Sequence, residues 1–221
     1  MSNRELTPEL LLEAYSIGVF PMSDHAQSET IYWVNPKHRG IIPLEQFHVP
    51  KRLARTVRAG HYKVTINTCF EAVITACAQS KRKEGSTWIN PMIINNYTRL
   101  HHMGHAHSVE VWEGDALLGG LYGISLGRAF FGESMFSTAR DASKVALVHL
   151  VARLVKQNFA LLDAQFINEH LKQFGIVEIS REDYHGFLRL ALSGEAFFAA
   201  SGAGGETALV AEFLQSRTHT S

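Results

Sequence analysis

The chain has 221 residues, 46% of them hydrophobic and 19% charged, and its 21 basic and 21 acidic residues leave no formal net charge. A chain of this size buries roughly 70% of its unfolded surface, so the composition excludes a disordered polymer, a disulfide-stapled mini-protein and a uniformly basic nucleic-acid coat protein. No apolar run approaches the about 18 residues of a membrane helix, and MSNRELTPELLLEAYSIG carries charges among its leucines, so neither a membrane partner nor a signal peptide is expected. Cys69 and Cys77 lie roughly 12 Å apart on one helical pattern, too far to bridge, and two free thiols point to a cytoplasmic location.

Taken in chain order, Thr7 then Pro8 reads as an N-cap and first helical residue, with Gly18 closing a helix over about residues 8–17. IYWVNP (31–36) and RGIIPL (39–44) read as short extended pieces punctuated by prolines. Pro50 and Gly60 bracket a basic helix in which Lys51, Arg55 and Arg58 share one face, and Leu53 and Val57 the other. No acid lies between His48 and Gly60, so salt bridges within the helix are impossible. That favours an anion-binding face suited to phosphate over a merely solvated one. Thr68 to Glu71 reads as a capping box before the apolar stripe Phe70, Val73, Ile74 and Cys77, which makes the cysteines core groups. A basic cluster, Lys81 to Lys83, follows, and Asn90-Pro91 opens a helix ending near Gly104.

From His107 the period becomes that of strands: HSVEVW, ALLGGLYGI and RAFFGESMF form a predicted three-stranded antiparallel meander. A helix striped by Leu147, Leu150, Val151 and Leu154 comes next, then a buried strand in ALLDAQFI, a strand in IVEIS and a helix from about Arg181. SGAGGE breaks the chain before a last amphipathic piece. The fold class is α+β, with a smaller N-terminal domain over residues 1–60 and a larger one over 61–221.

Three constellations can carry chemistry. Asp163 and Gln165 stand at i and i+2 on one strand face inside an apolar run. They are either a structural hydrogen-bonded pair or a nucleophile-holding one in which Asp163 orients the Gln165 amide. Glu133, a lone carboxylate among aromatic and sulfur side chains, suits a cation such as an amine, or merely ends a strand. Trp33 and Trp88 lie in Pro-flanked loops with Tyr97 on the following helix, as packing plugs or as stacking platforms for a base. The dense histidines His101, His102, His105 and His107 lack zinc-site order, and no Walker A, G-x-S-x-G or G-x-G-x-x-G motif occurs in context.

The order GVFPM, Trp33-x-x-Pro-x-x-Arg-Gly-Ile, TWI, AHSVEVW, GGLYG, FFGESMFS, ASKVAL and LLDAQ resembles the leucyl/phenylalanyl-tRNA–protein transferase family from about residue 8 to residue 190. The resemblance implies a C-terminal domain like the GCN5-related N-acetyltransferases behind a smaller N-terminal domain. It implies transfer of Leu, Phe or, less efficiently, Met from aminoacyl-tRNA to proteins with N-terminal Arg or Lys, creating an N-end rule degradation signal. No metal or organic cofactor is implied. By position, Asp163 and Gln165 become the catalytic pair and Glu133 a contact for the attacking amine. Trp33 and Trp88, with Tyr97 nearby, become contacts of the 3′ adenosine. Phe130, Met135, Leu147, Leu150 and Leu154 become the amino-acid pocket. Lys51, Arg52, Arg55 and Arg58 meet the tRNA acceptor stem. Gln173-Phe174-Gly175 replaces the family's usual Ser-Leu-Gly, at an expected pocket floor, and Tyr184 stands where Phe is common.

An aminoacyl ester is already activated, so such an enzyme needs chiefly proximity and a free-base amine. Gln165 would accept a hydrogen bond from that amine through its carbonyl oxygen. Two rivals are an acyl-CoA-dependent N-acetyltransferase and a non-catalytic tRNA-binding module. The first wants a glycine-rich pyrophosphate loop where this chain has STARDASK; the second leaves Asp163 and Gln165 unexplained.

Overall fold

The computed structural model describes residues 6–80, 87–199 and 205–217; the basic cluster Lys81 to Lys83 and most of the SGAGGE break lie outside them. The elements are α1 (Pro8–Ser16), β1 (Phe20–Met22), β2 (Tyr32–Val34), β3 (His38–Ile41), α2 (Lys51–Ala59), β4 (Lys63–Ile66), α3 (Phe70–Gln79), α4 (Pro91–His102) and β5 (Ala106–Glu113). They continue as β6 (Ala116–Leu126), β7 (Ala129–Ser137), α5 (Ala142–Lys156), β8 (Leu161–Gln165), α6 (Glu169–Lys172), β9 (Val177–Ser180), α7 (Arg181–Leu192) and α8 (Gly205–Ser216). Both Pro-led helices start at their caps: Leu10 N–H donates to Thr7 Oγ1 (3.2 Å) and Ile93 N–H to Asn90 Oδ1 (2.8 Å). The capping box of α3 does not form. Thr68 turns instead to the fully buried Glu110 on β5, donating through its hydroxyl (3.0 Å) and main-chain N–H (3.2 Å). A buried carboxylate needs donors more urgently than a helix end does. β4 is an addition to the expected elements, a short edge partner of β5.

A seven-stranded mixed sheet runs β4-β5-β6-β7-β8-β3-β9, beside a two-stranded sheet β1-β2. The meander β5-β6-β7 is antiparallel as predicted; the pair β7–β8, joined through α5, is parallel. Helices bury both faces. On one, α2, α5 and α8 pack over Val109, Val111, Leu121, Phe130 and Leu162; on the other, α1, α3, α4 and α7 pack over Tyr122, Ile124, Phe131 and Leu161. Gly119 lets the start of α5 lie flush on β6, since a Cβ there would sit 2.6 Å from Ala142 Cβ. The class is α+β, as composition and period indicated.

Two irregularities make a site. The pairing of β7 with β8 ends at Phe131 and Asp163, leaving a gap two residues beyond on each strand. At the same place the β6–β7 register steps from Gly123–Gly132 to Tyr122–Ser134, so Glu133 is the extra residue of a bulge. The bulge exchanges the faces of β7: Phe130 lies on the α5 side before it and Met135 after it. Glu133 and Gln165 stand on opposite banks of the gap.

Candidate active site

A cavity of about 480 Å³ opens at this gap. Its apolar wall includes Ile42, Leu121, Met135, Leu147, Leu150 and Leu162, and its polar side Glu133, Ser134, Asp163, Gln165, Asn168 and His170. A mainly apolar cleft with a few converging polar groups is the usual form of a small-ligand site.

Asp163 is fully buried and its lone pairs are taken. Arg39, itself 1% exposed, donates Nε to Oδ1 (2.9 Å) and Nη2 to Oδ2 (2.6 Å); the Tyr184 hydroxyl donates to Oδ2 (2.8 Å). Oδ1 also accepts the main-chain N–H of Gln165 (2.8 Å). Arg39 is held in turn between the rings of Phe20 (4.5 Å) and Tyr184 (4.4 Å), with Nη1 on the Gly18 carbonyl (2.9 Å). This fork is the reason two opposite charges can be buried here: each satisfies the other, and neutral donors fill the remainder.

The grip of Asp163 on Gln165 is on the backbone, which corrects the expectation that it orients the amide. Gln165 has φ +56°, in the left-handed region that costs a side-chain-bearing residue about 1–2 kcal/mol. Its strain coincides with a tight turn in which Phe166 N–H donates to the Ala164 carbonyl (2.6 Å). Gly40 makes room for that turn, since a Cβ there would lie 2.9 Å from the Phe166 carbonyl carbon. The Gln165 amide is oriented by Glu133 instead: Nε2 donates to Glu133 Oε1 (3.3 Å), and the amide oxygen has no partner among the described residues. Glu133 Oε1 also accepts from the Tyr15 hydroxyl (2.7 Å), whose oxygen lies 2.5 Å from that of Tyr97; Tyr97 reaches Oε2 only at 3.4 Å. Burial pushes the Glu133 carboxyl up to about 8; the Tyr15 hydroxyl opposes this, the Asp163 charge adds to it, and Arg39 and Tyr97 oppose it.

Of the expected site residues, the fold brings together Asp163, Gln165, Glu133, Met135, Leu147 and Leu150 on the cavity. Phe130 and Leu154 are buried in the core instead, the former stacked against Phe198 (5.3 Å between centroids). Tyr97 is fully buried behind Glu133, so it is a partner of that carboxylate rather than a surface for a base. Trp33 is exposed on β2 and Trp88 half-buried before α4; neither lines the cavity. Gln173 and Phe174 are not a pocket floor: Phe174 is buried and stacks on Phe47 (5.3 Å), and Gln173 donates to the His170 carbonyl.

On α2, Lys51, Arg52, Arg55 and Arg58 all face solvent while Leu53, Ala54 and Val57 are buried. Arg52 is ion-paired with Asp141 at 3.1 Å, an acid from outside the helix. Arg58 reaches the Leu214 carbonyl (3.4 Å). Lys51 and Arg55 have no side-chain partner among the described residues, and with Arg58 they flank a second groove of about 770 Å³.

Arg39 and Tyr15 escaped the sequence reading. A signal existed for each: an arginine in an otherwise apolar RGII segment, and a tyrosine on the buried face of α1 whose hydroxyl must find a partner.

Models of the leucyl/phenylalanyl-tRNA protein transferase family match residues 41–189, and of its N-terminal domain residues 4–37. A leucyl/phenylalanyl-tRNA–protein transferase of Nitrobacter winogradskyi is 55% identical over 199 residues, covering 90% of this chain and 88% of that one. One of Caulobacter vibrioides is 56% identical over 201 residues, covering 90% and 93%. The crystal structure of FemX shares the fold at a TM-score of 0.52 and 11% identity, over 78% of this chain and 66% of that one. The chain belongs to the leucyl/phenylalanyl-tRNA protein transferase family.

Proposed function

We propose that the chain transfers Leu, Phe and, less efficiently, Met from aminoacyl-tRNA to the N-terminal Arg or Lys of acceptor proteins, creating an N-end rule degradation signal in the cytoplasm. The observation that carries the chemistry is the gap between β7 and β8, where Glu133 and Gln165 face a largely apolar cavity. Met135, Leu147 and Leu150 take the aminoacyl side chain, whose burial is worth about 1.5–3 kcal/mol for a Leu or Phe. The ester is already activated, so holding the amine against its carbonyl carbon supplies most of the acceleration. The Gln165 amide oxygen accepts a hydrogen bond from the incoming nitrogen. Asp163 fixes the turn that presents it, and Arg39 and Tyr184 hold Asp163.

Trp33 and Trp88 remain the proposed contacts of the 3′ adenosine. Lys51, Arg55 and Arg58 are proposed to meet acceptor-stem phosphates, with Arg52 contributing less because its guanidinium is partly engaged by Asp141, a carboxylate it shares with Lys144 and Arg140. The same proposal reads residues 61–221 as an acetyltransferase-like domain and 1–60 as a smaller unit. Six of the seven strands of the large sheet come from the later part, while β3 of the earlier part lies between β8 and β9.

The test mixes labelled leucyl-tRNA, or labelled acetyl-CoA, with a peptide beginning with Arg. The proposal expects label on the peptide from leucyl-tRNA alone. Label from acetyl-CoA, or tRNA binding with no transfer, would replace it by one of its two rivals.

A further inference from the structure

Two carboxylates border the cavity, and their hydrogen bonds separate their roles. Asp163 accepts from both faces of the Arg39 fork, from Tyr184 and from the Gln165 N–H, so no lone pair is left for a substrate proton. Gln165 is a neutral amide and cannot keep a proton at neutral pH. Glu133 differs from both. Tyr15 has one hydroxyl proton and gives it to Oε1 at 2.7 Å, so across the 2.5 Å contact Tyr97 must be the donor to Tyr15. The Gln165 amide also goes to Oε1. Oε2 is left with only the 3.4 Å approach of Tyr97, beyond good hydrogen-bond length for two oxygens. Among the described residues no other donor reaches it, on a side chain that lines the cavity. As the unpaired residue of the β7 bulge, Glu133 is aimed at the gap rather than along the sheet.

We infer that Glu133 is the proton acceptor that frees the attacking amine, with the Tyr97–Tyr15 hydroxyl chain as its positioning device, an inference that rests on the transfer reading above. The N-terminal ammonium gives one proton to Glu133 Oε2, and the free nitrogen pair attacks the ester carbonyl carbon. The C–N bond forms, the bond to the ribose oxygen breaks, and the nitrogen's second proton passes to that departing oxygen. Glu133 returns its proton to water before the next cycle. Gln165 steers the nitrogen and holds Oε1, touching the same two groups without itself being protonated.

The affinities are matched for such a transfer. Burial brings the Glu133 carboxyl to about 8, and an α-amino group ordinarily titrates at about 7.7–8.0. The groups that face Glu133 are Tyr15 from α1, Tyr97 from α4, Arg39 from β3, Asp163 from β8 and Tyr184 from α7. Asp163 raises the Glu133 carboxyl and its ion partner Arg39 lowers it, so the two charges of that pair act on Glu133 in opposite directions.

Glu133→Gln keeps the shape and removes the base. With leucyl-tRNA bound and an Arg peptide as acceptor, its single-turnover rate at pH 7 should fall by up to about 10-fold, because about a tenth of an α-amine that titrates near 8 is already free at that pH. The same peptide with an aminooxy group (–O–NH2) in place of its α-amine carries no proton to remove at pH 7, and the variant should transfer to it nearly as fast as the parent chain. Equal losses on the two acceptors would overturn the inference. Tyr15→Phe is a second reading that keeps the buried ring. Loss of that donor disfavours the carboxylate, so the midpoint of the rate–pH curve with the Arg peptide should move up. An unmoved midpoint would also overturn it. A parent chain silent toward both acceptors would instead sink the transfer reading, and this inference with it.

Discussion

Replacing Arg39 with Ala removes a guanidinium that is 1% exposed and leaves Asp163, at 0%, charged with no counterion. Breaking a buried pair from one side costs about 3–5 kcal/mol, because the orphaned charge keeps its desolvation penalty. Here the loss also takes two stacking contacts with Phe20 and Tyr184 and the bond to the Gly18 carbonyl, which places Arg39→Ala toward the upper end. In a domain of this size 1 kcal/mol moves Tm by roughly 2–4 °C, so a fall of roughly 6–20 °C is expected. Asp163→Asn should be destabilising on its own, yet the double variant should lose less than the two single losses added together, since the second change removes the charge that the first orphaned. The assay is thermal unfolding across the four-protein cycle at pH 7, with transfer activity measured on each. Activity should fall in every variant, because the Asp163 side chain that anchors the Gln165 N–H is no longer held in place by the Arg39 fork. A fall of less than about 2 °C for Arg39→Ala, or strict additivity in the cycle, would refute the claim that this pair organises the site.

Gln165→Gly should separate stability from activity: it relieves the φ +56° strain, so Tm should hold or rise slightly, while transfer collapses with the amide. Gly40→Ala should do the opposite of relief, pushing a methyl against the Phe166 carbonyl carbon and lowering both Tm and transfer rate. The raised Glu133 carboxyl makes the folded chain bind a proton more tightly than the unfolded one. Stability should therefore decline as pH rises from about 4.5 through about 8, and Glu133→Gln should flatten that part of the Tm–pH curve. Lys51→Ala with Arg55→Ala should weaken tRNA binding and reduce the salt slope by roughly one per lost phosphate contact. Arg52→Ala should change the slope less, since its charge already meets Asp141.

Much of the site was readable along the chain because it breaks local rules. Asp163 and Gln165 interrupt an apolar strand, and Glu133 stands alone in FFGESMF, so each invites the question of what satisfies it. The answers were not local. Arg39 reaches Asp163 because β3, a four-residue strand early in the chain, inserts between β8 and β9, a pairing that no periodicity in HRGI reveals. The pocket was partly misread for geometric reasons. The stripe Leu147, Leu150, Leu154 is one helical face, but Leu154 lies roughly 10 Å further along the α5 axis than Leu147, past the cavity. The family resemblance puts Phe130 and Met135 in one pocket, although strict alternation would set them on opposite faces. The bulge at Glu133 returns Met135 to the α5 side, where it alone of the two reaches the cavity.

The most direct test is single-turnover transfer from pre-bound leucyl-tRNA to an Arg peptide by Gln165→Ala and Asp163→Ala, with the Kd for leucyl-tRNA measured in parallel. Transfer should be abolished in both while Kd stays close to that of the parent chain, since neither residue is proposed to hold the tRNA. Full transfer by either variant, or a loss explained by weakened tRNA binding, would contradict a site in which Asp163 holds Gln165 and Gln165 meets the amine.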